Sequence, residues 1–208
     1  MADLPETLSP KQLAKRGEII AAAQRILVRD GPAQCTTRAV ARESGLNQGL
    51  IYYYFGSLED IVDAAMGAFA DDLVAAIDGA RDVDAAVTER YWALFEAYFG
   101  VFAEQPGLAT AWFEYWIIAT RSGRTDALAK VQDTIVEHLE QVLAETGVDN
   151  AAVRARLAMS YILGVLIRSW ARPNDLAGVR AEIERLAYAV LGGPAQTANG
   201  FDVGAANP

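Results

Sequence analysis

The sequence predicts an all-α protein built from about nine helices. No stretch alternates apolar and polar residues between turn signals, and runs of β-branched residues are few, so nothing indicates a strand. Glycine and proline instead interrupt the chain at intervals that suit helices. The predicted helices cover residues 11–29, 37–44, 48–54, 58–79, 84–104, 107–121, 125–145, 150–171 and 175–191.

The composition is that of a globular protein and argues against several other classes. Of the 208 residues, 52% are hydrophobic and 22% are charged, and no charge-free apolar run reaches membrane-spanning length. The start of the chain lacks the apolar segment of a secretory signal. Because the chain has a single cysteine and a single histidine, neither an internal disulfide nor a zinc site is expected. We therefore predict a cytoplasmic protein with no metal, no cofactor and no membrane partner.

Two unusually short helices, 37–44 and 48–54, lie between longer ones. A helix of about eight residues is not stable alone, so neighbouring elements must hold each of them. Gly45 supplies a permissive backbone in the turn between them, and Asn47 is placed to cap the second helix. Two helices joined by a short glycine-containing turn are typical of the DNA-binding helix-turn-helix, whose second helix enters the major groove.

The residues around these two helices follow a specific pattern. It comprises Ile19, Ala22, Ala23, Ile26, Leu27 and Gly31, then Thr37, Val40 and Ala41, and then Gly45-Leu46-Asn47, Gly49, Ile51-Tyr52, Tyr54-Phe55 and Ser57-Leu58-Glu59-Asp60-Ile61. In this order and spacing, the stretch from Arg16 to Met66 resembles the N-terminal domain of the TetR family of bacterial transcription regulators.

The resemblance implies how the chain is divided. A three-helix, helix-turn-helix DNA-binding domain would cover residues 11–56, and a larger helical domain for ligand binding and dimerisation would cover 57–192. Residues 1–10 and 193–208 would be mobile tails. One position departs from the family: Leu58 stands where a lysine usually contacts phosphate.

The second short helix carries most of the expected DNA contacts. Gln48 lies at its N-terminal end, where a glutamine can bond an adenine edge through two hydrogen bonds. The family resemblance makes Tyr52 a phosphate ligand and Tyr53 a base or sugar contact. Tyr54 could lie either in the core or on the surface. Three consecutive tyrosines cannot all face inward on a helix, so at least one of them is expected to be exposed. The full predicted set is Thr37, Arg38, Asn47, Gln48, Gly49, Leu50, Tyr52, Tyr53 and Tyr54. The alternative is a small packing unit without a nucleic-acid ligand.

The charge of the chain is divided unevenly along its length. The net charge of −9 and a pI near 4.6 argue against a nucleic-acid partner when they are taken alone. Residues 11–55, however, hold seven lysines and arginines against three acidic residues, a local charge of +4, so the rest of the chain carries −13. The sequence therefore predicts a basic head on an acidic body, with weak non-specific DNA binding.

Residues 84–122 are rich in aromatic side chains. Their helical spacing predicts an apolar core face for most of them, and the family resemblance implies an effector pocket among them. Glu114 either turns inward, where it favours a cationic ligand, or remains a surface carboxylate. His138 either contacts the ligand or is a partly buried or surface histidine. The predicted pocket residues are Trp92, Phe95, Phe99, Trp112, Glu114, Trp116 and His138.

The last two long helices, 150–171 and 175–191, either close the core of one subunit or pair with their copies. The family resemblance favours a four-helix interface between two subunits. Together these features predict a homodimeric repressor that leaves a palindromic double-stranded DNA operator when a small apolar or aromatic ligand binds. That ligand would be cationic if Glu114 turns inward. The alternatives are an activator or constitutive regulator with the same head, or a helical enzyme or carrier. Because the catalytic and nucleotide-binding motifs are missing, we do not expect an enzyme.

Overall fold

The structure is a computed structural model that describes residues 8–82, 84–171 and 176–191. Within these residues the chain is helical, apart from turns, and a short 3-10 turn over Pro32–Gln34 follows the first helix. The helices are α1 Pro10–Asp30, α2 Thr37–Ser44, α3 Gln48–Tyr54, α4 Leu58–Gly79, α5 Val87–Glu104, α6 Pro106–Arg121, α7 Thr125–Ala144, α8 Ala151–Ala171 and α9 Leu176–Leu191.

The all-α prediction is confirmed, and the helix ends agree closely with the predicted ones. The largest difference lies at the start of α5, predicted at residue 84 and observed at Val87. Asp84 stays in a turn because its N–H donates to the Asp82 side chain at 3.0 Å. The Glu89 carboxylate accepts from the Ala86 N–H at 3.2 Å and starts the helix there. The predicted break at 172–174 and most of the predicted tails lie outside the described residues.

Contacts along the chain divide it into two compact units. The first ends at His138 and the second begins at Leu139, so the boundary falls within α7. The first contains α1 to α6 and the first part of α7, and the second contains the end of α7, α8 and α9.

The helix-turn-helix end of the first unit is organised around α1, which packs against α2, α4 and α6. Isoleucines and alanines recur along α1 at intervals of three and four, so they form one apolar face. That face is fully buried, and the inward side chains of α2, α3 and α4 meet it. The core of this region comprises Ile19, Ala22, Ala23, Ile26, Leu27, Val40, Ala41, Ile51, Tyr54, Phe55, Ile61, Ala65 and Met66.

The other end of the first unit has an aromatic core. Helix α5 packs on α4 and α6, and the ring of Tyr91 lies 4.8 Å from that of Phe95. The rings of Tyr98 and Phe102 stack at 5.4 Å. Trp112 on α6 is 1% exposed. These four aromatic side chains of α5 lie within about three turns of one another, and they bury far more apolar area than aliphatic ones would.

In the second unit, α8 and α9 pack on each other. The buried side of α8 includes Ala155, Ala158 and Ile162, whereas Val153 and Leu157 on the same helix are exposed. The Tyr161 hydroxyl donates to the Glu182 carboxylate on α9 at 3.1 Å. Among the residues that the structure describes, no helix is long and apolar enough to span a membrane.

Candidate nucleic-acid interface

Helix α2 is capped by Thr36, which precedes Thr37, the first residue of the helix. The side chain of Thr36 accepts a hydrogen bond from the Ala39 N–H at 3.1 Å, which satisfies one of the free N–H groups of the first turn. Thr37 therefore has no capping role, and its Oγ1 lies 3.5 Å from the hydroxyl of Tyr52 on α3. The structure thus brings together two side chains that were both predicted to contact DNA.

The turn between α2 and α3 is held by backbone geometry. Gly45 has φ of 71° in the left-handed region, where a side chain would be strained. Asn47 then caps α3, because its Oδ1 accepts from the Leu50 N–H at 2.8 Å. A Cβ atom added at Gly49 would lie 3.3 Å from that same oxygen, so the glycine leaves room for the cap. The two short helices are thereby fixed at their junction.

Helix α3 has a buried face and an exposed face. Ile51 is fully buried and Tyr54 is 6% exposed, whereas Tyr52 is 57% and Tyr53 36% exposed. Successive side chains on a helix are about 100° apart, so the three tyrosines separate onto different sides. The structure places Tyr54 in the core, beside Tyr53, with ring centroids 5.0 Å apart. The exposed phenols and the exposed side chain of Gln48 form the outer surface of α3.

One residue that the sequence prediction missed orients this surface. The Nε2 group of Gln12 on α1 donates to the Tyr53 hydroxyl at 3.1 Å. Gln12 also completes a capping box with Ser9 at the start of α1, which has Pro10 at its first position. The spacing of Ser9, Pro10 and Gln12 is a recognisable start signal, so the sequence did contain the information needed to begin α1 there.

A cluster of ion pairs ties α1 to α2. The Arg25 Nε lies 2.8 Å from one Glu43 oxygen, and an Arg29 nitrogen lies 3.2 Å from the other. Arg29 also pairs with Asp30 at 2.8 Å. Hydrogen bonds from Arg25 and Arg29 lower the pKa of Glu43 below its ordinary value of 4.5. Lys15 pairs with Glu18 at 2.7 Å, so three of the cations in the basic head are engaged with carboxylates, whereas Arg38 and Arg42 are exposed.

This cluster gives the head an expected pH dependence. Because the pKa of Glu43 is lower in the folded protein, its contribution to stability is present above the ordinary carboxyl pKa of 4.5. That contribution is lost as the pH falls through the lowered value. We expect Glu43→Gln to flatten the acid limb of thermal unfolding measured by circular dichroism. The same change at the exposed Glu137 of α7 is the control, and equal acid limbs for wild type and Glu43→Gln would contradict the assignment.

Arg38 and Arg42 face a groove beside the N-terminal end of α2. The groove has a volume of about 470 Å³, and its polar lining includes Thr36 and Gln34. Asp30 also lines it, and the hydrogen bond from Arg29 lowers the pKa of that carboxyl. Arginines beside a helix N-terminus are a suitable setting for a phosphate group. The prediction of Arg38 as a DNA contact is compatible with this position.

The aromatic residues of the predicted effector pocket lie in the aromatic part of the first unit, on α5 and α6. Phe95 and Trp112 are buried at 1% exposure each, and Trp92, Phe99 and Trp116 are partly exposed. The rings of Phe95 and Phe99 lie 6.4 Å apart on α5. Helices α5 and α6 pack on each other, so the predicted aromatic residues belong to two adjoining elements. Their role in ligand binding stays a prediction.

The two ionisable residues of that predicted pocket lie at different places. Glu114 is exposed, and its carboxylate lies beside Gly31 at the end of α1. A Cβ atom added at Gly31 would be 3.4 Å from the Glu114 Oε2. The His138 side chain is 11% exposed, and its Nε2 lies 3.3 Å from Asp78 Oδ1 at the end of α4. Glu114 therefore faces the helix-turn-helix end, and His138 faces the end of α4.

Comparison with known proteins decides the family. Residues 19–65, which run from α1 into α4 and include the whole helix-turn-helix, match the family described as bacterial regulatory proteins, tetR family. Residues 19–65 form a TetR-family domain. This confirms the resemblance assigned from Arg16 to Met66. The TetR-family match covers the region whose helix caps and buried face are described above.

Other similarities extend beyond the helix-turn-helix over most of the chain. An uncharacterized HTH-type transcriptional regulator, YfiR of Bacillus subtilis strain 168, is 28% identical over 152 residues, covering 70% of this chain and 71% of the relative. A TetR transcription regulator from Haloarcula marismortui ATCC 43049 has the same fold, with a TM-score of 0.71 at 21% identity over 85% of this chain and 98% of the other. The multidrug binding protein EbrR, solved with imidazole, has a TM-score of 0.64 at 25% identity, covering 88% of this chain and 96% of EbrR. This TetR-family chain is a helix-turn-helix transcriptional regulator.

Proposed function

We propose that this TetR-family regulator is a homodimeric repressor that binds a palindromic double-stranded DNA operator and leaves it when a small ligand binds. The proposal rests on one observation, that α3 has one buried face and one exposed face. Ile51 and Tyr54 anchor it in the core, while Gln48, Tyr52 and Tyr53 face outward. An anchored helix with an exposed polar and aromatic face is the element that a helix-turn-helix inserts into the major groove.

Each exposed residue of α3 has a role that its chemistry supports. Gln48 opens the helix, where side chains come nearest to base edges, and its amide can both donate to and accept from adenine. Leu50 is partly exposed and offers an apolar contact for a thymine methyl group. The Tyr52 hydroxyl, beside Thr37, can donate to a phosphate oxygen. Gln12 restricts the Tyr53 ring through its hydrogen bond to the hydroxyl.

The local charge supports DNA as the partner. Residues 11–55 carry +4 in a chain of net charge −9, and Arg38 and Arg42 are exposed beside the groove at α2. Phosphate contacts give affinity without reading the sequence, so a head with few free cations depends on its base contacts for tight binding. We therefore expect specific binding to exceed non-specific binding strongly.

The exposed side of α8 supports a dimer. Val153, Leu157 and Ile167 are 56%, 43% and 50% exposed, and their spacing of four and ten residues places them along one side of the helix. Gly164, exposed on the same side, permits close approach of another helix. An apolar stripe of this kind favours a self-complementary interface around a two-fold axis. Two heads would then read half-sites about 34–36 Å apart.

The effector response would act through α4. This helix contributes Ile61 and Met66 to the core around α1, and Phe69 and Leu73 further along. Near its start, the Asp63 carboxylate accepts from Arg124, before α7, at 2.6 Å. A ligand among the aromatic residues of α5 and α6 would shift the population toward states with different head spacing. The similarity to EbrR, named as a multidrug binding protein, also supports a ligand-binding body. The domains would be 11–56 for DNA and 57–192 for ligand and dimer.

Repression is the simplest outcome of this arrangement. It requires only that the bound dimer occupies the operator, whereas activation also requires a surface that recruits the polymerase. An activator or a constitutive regulator would use the same head. A reporter gene placed behind the operator separates them, because deletion of the regulator raises expression for a repressor and lowers it for an activator.

Replacing Gln48 by alanine tests the DNA-binding face. We expect operator binding in a gel-shift assay to weaken by about 1–3 kcal/mol, with relaxed specificity at one base position, because the bidentate contact is lost. Binding to unrelated DNA should remain as it is, since that binding depends on phosphate contacts.

The matched control is Gln141→Ala, the same change at an exposed position of α7, which should bind the operator like the wild type. If Gln48→Ala and Tyr53→Ala both bind the operator with wild-type affinity and specificity, α3 is not the reading helix. Absence of any retardation of the regulator's own upstream DNA at low salt would remove the DNA-binding proposal as a whole.

A further inference from the structure

The aromatic core of the first unit contains two indole N–H groups without an acceptor. Trp112 is 1% exposed, and its Nε1 has no hydrogen-bond partner among the described residues. Trp116 is partly exposed as a residue, but its Nε1 atom is also buried and unpartnered in the same part of the structure. Buried donors nearly always have partners in native proteins, so each exception requires an explanation.

The two donors belong to one surface. Trp112 and Trp116 are four residues apart on α6, so their side chains lie on the same face, with Cβ atoms about 5–6 Å apart. The ring of Phe113 lies 5.8 Å from that of Trp116 in an edge-to-face arrangement. Helix α6 packs on α5, which contributes the buried ring of Phe95. The surroundings of the donors are therefore mainly apolar and aromatic.

The chemistry of these groups selects one kind of partner. An indole nitrogen donates and does not accept, so only an acceptor atom satisfies it. The Nε of Arg90 on α5 is a further buried donor without a partner among the described residues, and the buried Tyr115 hydroxyl on α6, which can donate as well as accept, also has none there. No acidic side chain is buried in the described part of the chain, and Glu114 is exposed. The core therefore offers donors for an oxygen acceptor and lacks a buried carboxylate for a cation.

We propose that the effector is a small, largely apolar molecule with a carbonyl or carboxylate oxygen, and that Trp112 and Trp116 donate to that oxygen. The proposal rests on the proposed function in one respect, since it assigns the effector to the α5–α6 core. Binding satisfies donors that the closed core leaves unpaired, so the liganded state gains two hydrogen bonds. The ligand thereby favours an opened arrangement of α5 and α6 over the one described here.

The test compares three probes that share an unbranched ten-carbon skeleton and differ in the polar group. Decanoate and 2-decanone carry acceptor oxygens, and decylammonium carries only donors. We expect calorimetric titration of the full-length protein to show at least about tenfold tighter binding of decanoate or 2-decanone than of decylammonium. Trp112→Phe and Trp116→Phe keep an aromatic ring but remove the N–H. Each should weaken binding of the acceptor probes roughly three- to tenfold and leave decylammonium binding unchanged.

The outcomes separate this proposal from the proposed function. Equal or tighter binding of decylammonium overturns the acceptor class, and so does failure of both acceptor probes to bind. Wild-type affinity of both variants for the acceptor probes shows that the indoles do not contact the ligand, which also overturns it. A gel shift of the ligand-free variants on the operator checks folding and the DNA-binding head. If Trp112→Phe does not fold, Trp116→Phe, at a partly exposed position, decides the result.

Discussion

Replacing Gly107 by alanine is expected to destabilise the protein by about 3 kcal/mol or more. A Cβ atom at this position would lie 1.9 Å from the carbonyl oxygen of Val28 and 2.9 Å from its carbonyl carbon. Both are backbone atoms in the last turn of α1, so no side-chain rotation relieves the overlap. The start of α6 would have to move away from α1, and the core between these helices would open.

Thermal and urea unfolding followed by circular dichroism measure this effect. Gly100→Ala on α5 is the matched control, because a Cβ atom there meets nothing within 4 Å. Alanine has the higher helix propensity, so that control should be stabilised by roughly 0.5–1 kcal/mol. Equal stability of Gly107→Ala and the wild type would show that α6 does not approach the α1 backbone this closely in solution.

The position of Gly107 also bears on signalling. It joins the α6 helix that carries Trp112 and Trp116 to the end of the α1 helix that supports α2 and α3. If the effector acts on α6, a displaced contact at Val28 should also uncouple ligand binding from DNA release. In Gly107→Ala protein that remains folded at low temperature, the ligand should change operator affinity less than in the wild type.

Replacing Leu157 by aspartate is expected to weaken operator binding about a hundredfold or more. Leu157 is 43% exposed within the apolar stripe on α8. In the proposed dimer, a buried carboxylate at this position would face its own copy across the two-fold axis. Desolvation and like-charge repulsion would both oppose association. A lone head loses the benefit of two linked binding events, which commonly amounts to two or more orders of magnitude in affinity.

Sedimentation velocity measures whether Leu157→Asp is still a dimer, and a gel shift measures its affinity for the operator. Leu13→Asp makes the same substitution at another exposed leucine, 55% accessible on α1, and should leave the oligomeric state unchanged. A Leu157→Asp protein that remains dimeric would place the interface elsewhere. If it becomes monomeric but keeps full operator affinity, the two-headed reading of a palindrome would be wrong.

The sequence and the structure agree best where local chemistry decides the backbone. The short helices α2 and α3, the left-handed Gly45 and the Asn47 cap all follow from residue types at fixed spacing, so these features were predictable. The capping box of Ser9 and Gln12 was equally visible and was missed. The start of α5 was predicted three residues too early. The Asp82 side chain holds Asp84 in a turn, and the Glu89 side chain caps the helix only at Ala86.

The aromatic segment shows what spacing cannot resolve. Tyrosines 52 to 54 could be divided between the faces of α3 only in general terms, since the helical repeat requires that at least one is exposed without saying which. Burial of Tyr54 and exposure of Tyr52 depend on where α1 and α4 lie. In the same way, the pattern around Trp112 predicts burial but does not show whether an acceptor is within reach of its Nε1.

By itself, the amino-acid sequence determined the all-α class, the positions of the helices, the basic head and the TetR family, because these depend on periodicity, caps and residue order along the chain. Only the tertiary structure decided which atoms meet. It placed Gly107 against the Val28 carbonyl, Gln12 on the Tyr53 hydroxyl and the two indole donors in an apolar core. Such contacts join residues far apart in the chain, and packing of whole helices, rather than any local preference, sets their distances.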